Sequence, residues 1–153
     1  MSNVTLMGME NGIARQVCYG DFVTKGCAAP ATVSAVGATT LTVAQLASGA
    51  IIRTGQSAGA TDTLPTAVQI ATALINNGGS LPDVGDAFEV TYANDGGFTI
   101  TFAMGTGITA VYNNTVATKV TRRLLFVCTA VGTNTFASGV WTNTGATFDF
   151  YTL

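Results

Sequence analysis

The chain has 153 residues, 48% of them hydrophobic and only 9% charged, with a formal net charge of −2. That size suits one domain with a short arm, and the composition excludes both a disordered charged tail and a coiled coil, which need abundant charged side chains. Six basic residues argue against a nucleic-acid binder, and the absence of histidine closes every mechanism that uses imidazole as a base or metal ligand.

Residues 1–36 differ from the rest. They hold Glu10, Arg15, Cys18, Asp21, Lys25 and Cys27, and their periodicity is poor apart from a short strand pattern at Gln16 to Thr24. The segment ends in GCAAPATVSAVGA, whose small residues read as an extended connector. We read it as an N-terminal arm, with an ordinary first hairpin of the domain as the alternative. The opening MSNVTLMGMENG has no basic stretch followed by a continuous apolar run, so no signal peptide is expected.

Regular patterning begins at Thr39. TTLTV alternates, AQLASG reads as a turn stopped at Gly49, and short strands are expected at Ala50 to Arg53 and Thr61 to Leu64. One helix is predicted over about 66–77. Thr66 caps it, Ala67, Val68, Ile70, Ala71, Leu74 and Ile75 form its apolar side, and Asn76, Asn77, Gly78 and Gly79 end it.

After the helix, DAFEVTYA and FTITFAM alternate strictly. Side-chain parity predicts a three-stranded antiparallel meander with Phe88 opposite Phe102, Val90 opposite Ile100, Tyr92 opposite Phe98, and Phe102 opposite Ala110. Its turns would be Asn94-Asp95-Gly96 and Gly105-Thr106-Gly107, each with its last glycine left-handed. A long strand follows between Val116 and Val131, apolar on both faces from Leu124, and Thr147 to Leu153 closes the chain. The run LLFVCTAV is too short to cross a membrane. The expected fold is mainly β: an antiparallel β-sandwich or jelly-roll-like domain over 37–153 with one short helix, and no tandem repeat.

Chemistry is sparse. Ser57, Ser80 and Ser138 have no histidine, and a lysine dyad would need Lys25 or Lys119 buried beside one of them. Asp83, Asp86 and Glu89 are close in sequence, but Asp86 and Glu89 have opposite strand parity, and Asp83 lies in a Pro-Gly turn. PDVGD lacks the oxygen density of a calcium loop. Gly78-Gly79 and Gly96-Gly97 fit no phosphate-cradling motif. Cys18, Cys27 and Cys128 show no zinc spacing, and Cys128 reads as a small core hydrophobe. We therefore assign no catalytic, cofactor or metal residue. Arg122 and Arg123, with Lys119 before them, are the one basic cluster. Neighbours on a strand face opposite ways, so either one is solvated and one pairs with an acid, or one anchors an interface with an acidic partner.

The stretches LTVAQLASGAIIR, DTLPTA and VGDAFE, with the glycine turns and the later TRRLLFVCTAVG, resemble virion structural proteins of tailed bacteriophages over residues 39–132. The resemblance implies a capsid decoration (cement) or head-fibre protein on the outside of the shell, made in the host cytoplasm. It implies as partners the major capsid protein and further copies of the chain, a trimer ahead of a dimer, and neither nucleic acid nor membrane. Arg15, Cys18, Tyr19, Phe22 and Lys25 of the arm, with Arg122 and Arg123, are the expected capsid or inter-subunit contacts. The alternative is a head or tail fibre module that contacts the host surface or its glycans. An exposed aromatic platform would favour it, and Trp141 with Phe136 in the polar TNTFASGVWTNTG loop is the candidate, the alternative being loop hydrophobes folded back on the core.

Overall fold

The computed structural model describes residues 29–78 and 83–153. Within them the chain passes back and forth between two facing sheets. β1 (Ala31–Ser34) lies in the first sheet and β2 (Thr39–Thr40) in the second. Helix α1 (Val43–Ala47) returns the chain to β3 (Ala50–Thr54) in the first sheet, and β4 (Ala60–Thr63) lies in the second. Helix α2 (Ala67–Gly78) leads back to β5 (Ala87–Asn94), and β6 (Ile100–Ala103) again crosses over. Each circuit adds one strand to each sheet, so β1, β3 and β5 are parallel neighbours, as are β2, β4 and β6. Parallel neighbours need a crossover connection, and here the opposite sheet and a helix supply it.

The later strands complete the two-sheet sandwich. β7 (Ile108–Ala110) and β9 (Val120–Ala130) join the first sheet, and β8 (Thr115–Val116) joins the second. β10 (Thr133–Ala137) and β11 (Val140–Thr144) form a separate two-stranded ribbon before β12 (Thr147–Thr152) returns to the first sheet. The orders are β1-β3-β5-β9-β12-β7 and β2-β4-β6-β8. The mainly-β sandwich is as the sequence predicts, but its pairing is mixed. β5–β9, β9–β12, β6–β8 and β10–β11 are antiparallel, whereas β7–β12 joins the two parallel sets above.

The predicted meander is overturned. β5 pairs with β3 and β9, and β6 pairs with β4 and β8 in the other sheet. Parity nevertheless identified most of the buried positions: Phe88, Val90, Tyr92, Ile100 and Phe102 are buried and Thr99 is exposed, but Phe98, expected inward opposite Tyr92, is exposed because it lies in the crossing before β6 begins at Ile100. These residues meet across the sandwich, with Tyr92 edge-on to Phe102 at 4.9 Å between ring centroids. Phe88, Phe126 and Phe150 form a cross-strand row on the first sheet, and Phe102 reaches Phe150 from the second. Gly107 is left-handed as expected, with φ of 84°. Gly96 is not: it is glycine because the buried Gln56 side chain occupies the space a Cβ would need.

Two further expectations need correction. Residues 31–34 are not a connector but strand β1, the edge of the first sheet among the described residues, whose Val33 is buried in the core, so the domain begins by Ala31 rather than at 37. Its alternation spans four residues with one large apolar side chain, too brief to register as a period. AQLASG is also not a simple turn but part of α1. Thr42 Oγ1 accepts from the Gln45 amide at 3.2 Å while Gln45 Oε1 accepts from the Thr42 amide at 2.8 Å, a reciprocal cap. Thr66 and Gln69 repeat that box at the start of α2, where Thr66 was the expected cap. Of the predicted apolar side of α2, Ala67, Ile70, Ala71, Leu74 and Ile75 are buried and Val68 is half-buried.

One ionic link ties the circuits together. Arg53 and Asp62 are fully buried, on β3 and β4 in opposite sheets. Arg53 Nε donates to both Asp62 carboxylate oxygens, at 3.1 and 2.9 Å. Its Nη1 donates to the Ala35 and Thr54 carbonyls, and its Nη2 to the Gly37 carbonyl. Tyr92 on β5 donates its hydroxyl to Asp62 Oδ2 at 2.5 Å. Every side-chain nitrogen of Arg53 and both carboxylate oxygens of Asp62 have a hydrogen-bond partner, which burial of charge requires.

Removing one partner strands a buried charge. Arg53→Ala should therefore lower unfolding free energy by roughly 3–5 kcal/mol in a denaturant titration, whereas Arg53→Met combined with Asp62→Leu should cost markedly less. Burial, then the hydrogen bond to Asp62, push the Tyr92 phenol above its ordinary pKa of 10.0. The folded protein thus holds this proton where the unfolded chain has released it. The stability is present below about pH 10 and is lost as pH rises beyond it. Stability measured against alkaline pH should fall less steeply for Tyr92→Phe than for the native chain.

Candidate interaction surface

The five arm residues expected at an interface, Arg15, Cys18, Tyr19, Phe22 and Lys25, lie outside the described residues. Arg122 and Arg123 sit on β9 and face opposite ways, as parity demands. Arg123 Nη1 donates to Glu89 Oε2 at 2.9 Å across the β5–β9 ladder, with both side chains substantially exposed. Arg122 is exposed and forms no ion pair among the described residues. One arginine pairs with an acid and the other stands in solvent, so β9 presents no concentrated basic patch.

The neighbouring carboxylates are also accounted for. Glu89 is held by Arg123, and Asp86 Oδ2 accepts from the Asp83 backbone amide at 2.9 Å, closing a turn. No group of three or more cysteine or acidic side chains with metal-binding geometry occurs among the described residues. Cys128 is buried on the inner face of β9, and burial pushes its thiol pKa up. It packs as a small apolar side chain. Lys119 is exposed, with its ammonium on Asp95.

The surface with an unexpected shape is the ribbon. TNTFASGVWTNTG, expected as a polar loop, is a hairpin with a two-residue turn. Ser138 and Gly139 have φ of 53° and 79°, the pair of left-handed residues that matches strand twist in the tightest hairpin turn. The signal was present as Ser-Gly between two alternating runs.

Pairing sets what the ribbon presents. Phe136 lies opposite Trp141 and Ala137 opposite Val140, so the aromatic pair occupies one face and Val140 the other. The rings of Phe136 and Trp141 meet edge-on at 5.1 Å between centroids. Phe136 is 56% exposed and Val140 51%. No residue from Thr133 to Thr144 is charged. Exposed large apolar groups at the end of a rigid element mark contact sites more often than scattered surface hydrophobes do.

Side-chain amides hold this ribbon to the body. Asn76 on α2 bonds the Trp141 peptide twice: its Nδ2 donates to the carbonyl at 2.9 Å, and its Oδ1 accepts from the amide at 3.1 Å. Thr72 Oγ1 accepts from the Asn143 amide at 3.1 Å. The buried Asn143 side chain donates to the Val131 carbonyl and to Asn134 Oδ1, and accepts from the Ala146 amide. The helix thus covers the β11 edge and fixes the direction of the hairpin.

Strand direction places the ribbon. β9 runs opposite to β5, so it ends where β1, β3 and β5 begin. Both helices and the ribbon therefore share one end of the sandwich with the point at which the chain enters β1. The other end carries the loops at 35–38, 55–59, 95–99 and 117–119. There Asn94 Nδ2 donates to the carbonyls of Phe98, Val116 and Ala117, and Gln56 Nε2 donates to Asn94 Oδ1.

Comparison with protein-family models, with curated proteins and with solved structures returned no match. Among the described residues, no helix is long and apolar enough to cross a membrane.

Asn143 gives the ribbon a separable stability. Asn143→Ala leaves the Ala146 amide and the Val131 carbonyl without their partner, at about 1–3 kcal/mol. Native-state hydrogen exchange should show faster exchange across Thr133 to Thr144 while β3 and β5 keep their protection.

Proposed function

We propose that the chain is a non-enzymatic virion structural protein that binds the outside of a phage capsid and stabilises the shell. The observation that carries this reading is the uncharged, apolar-tipped ribbon held rigidly at the end where the chain enters the sandwich. It is a surface suited to contact, on a protein without histidine whose Asp86 and Glu89 carboxylates are committed to a turn and an ion pair. The resemblance over residues 39–132 supplies the setting, and the major capsid protein is the partner. Residues preceding Ala31 would add a second contact beside the ribbon. β1 and β9 are three strand spacings apart in the first sheet, roughly 14 Å. The working form would be a homo-oligomer, a trimer ahead of a dimer, matching the symmetry axes of a shell.

The mechanism is mass action. A protein that binds the assembled shell and not its separated subunits stabilises assembly by about 2.7 kcal/mol per site at a hundredfold excess over Kd. Mass spectrometry of purified virions should find the chain in fixed ratio to the shell protein, and shells stripped of it should rupture at lower temperature until it is added back. Deleting residues 2–30 should leave cooperative unfolding intact, because β1 starts at Ala31, while shell occupancy falls. Absence of the chain from virions would sink the reading.

A second reading has a specific observation in its favour. The exposed Phe136–Trp141 pair is the aromatic platform that a fibre module would use against host glycans. Retention of the protein on neutral glycan arrays or host cell envelopes, with no virion stabilisation, would select it.

A further inference from the structure

We propose that the ribbon tip is a wedge that seats in an uncharged, apolar groove of the shell protein; this rests on the shell-binding reading above. The tip is apolar on both faces, with Phe136 and Trp141 on one side and Ala137 and Val140 on the other. A flat partner surface, or a sugar ring stacked on the aromatic pair, would cover one face and leave Val140 in water. A groove covers both. Insertion also suits the chemistry of the ribbon, which carries no charge to desolvate from Thr133 to Thr144.

The wedge is preorganised. Its turn is two residues long, its strands pair through five positions from Thr133↔Thr144 to Ala137↔Val140, and its β11 edge is tied to Asn76 and Thr72 of α2. Little conformational freedom remains to be lost on binding, and that loss is a main cost of association. Buried aromatic anchors at the centre of a contact carry most of its energy. Phe136 and Val140 are therefore expected to act together, although they lie on opposite faces.

The test uses the full chain and capsids stripped of it. Phe136→Ser and Val140→Ser change exposed side chains, so both should melt like the native protein. Each should lower shell affinity by at least about tenfold, the loss expected of a buried anchor, and by the same factor at low and high salt. Phe98→Ser, an exposed aromatic at the opposite end, should bind as the native chain does. If the native chain binds shells and both ribbon variants bind equally well, the wedge is wrong and the shell reading stands. If the native chain does not bind shells, both fall. If Phe136→Ser alone abolishes retention on neutral glycans and Val140→Ser is silent in both assays, the tip is a one-sided stacking platform and the wedge is overturned.

Discussion

The Arg53–Asp62 pair is the constraint on which the two-sheet coil depends. A guanidinium buried between sheets must find a carboxylate and carbonyl acceptors or leave a charge unsolvated. Here it finds Asp62 on the facing sheet, Thr54 beside it, and the Ala35 and Gly37 carbonyls of the first crossing. Tyr92 then brings β5 to the same carboxylate. Three successive circuits thus converge on one pair of side chains. Charged residues are scarce in this chain, so placing two of them in the core is a strong statement about register. A one-residue slip of β3 or β4 would turn Arg53 or Asp62 away from the interior and break the contact.

That register in turn separates the two ends of the molecule. Because β1, β3 and β5 run in one direction, the returns between circuits collect the helices at the end where these strands begin. The β9 to β12 connection reaches the same end and becomes the ribbon. α2 therefore has a dual role: it covers the core with Ile70 and Leu74, and it holds the hairpin through Thr72 and Asn76. The opposite end is closed by Asn94, whose amide satisfies carbonyls of the loops on either side of β6 and β8. The proposed contact end is thus built on a helix, and the far end on loop carbonyls.

Legibility differed by residue. That Arg122 and Arg123 face opposite ways followed from strand parity, but the solvated Arg122 and the pairing of Arg123 with Glu89 followed only from the β5–β9 ladder. The apolar side of α2, the burial of Cys128 and the inward set Phe88, Val90, Tyr92, Ile100 and Phe102 were equally readable. The ribbon was readable in principle, since Ser138-Gly139 between alternating runs is a hairpin signal, but its polar composition read as a loop. The Arg53–Asp62 link carried no sequence signal at all. Nine residues apart and on separate strands, the two could be paired only once their strands were known to face each other.

The sequence by itself determined which residues are strand and helix over most of the described chain, which side of β5 and β6 is buried, and that imidazole chemistry has no place here. These are local properties, written in the two-residue period of strands, the 3.6-residue period of helices and the identity of capping residues. Only the tertiary structure decided which strands are neighbours. An inward face is satisfied equally by a hairpin partner beside it or by a facing sheet across the core. Phe88 and Phe102 therefore read alike in a meander and in a sandwich. The choice rests on contacts between residues far apart in the chain: the ladders to β3 and β9 and the buried charges they align.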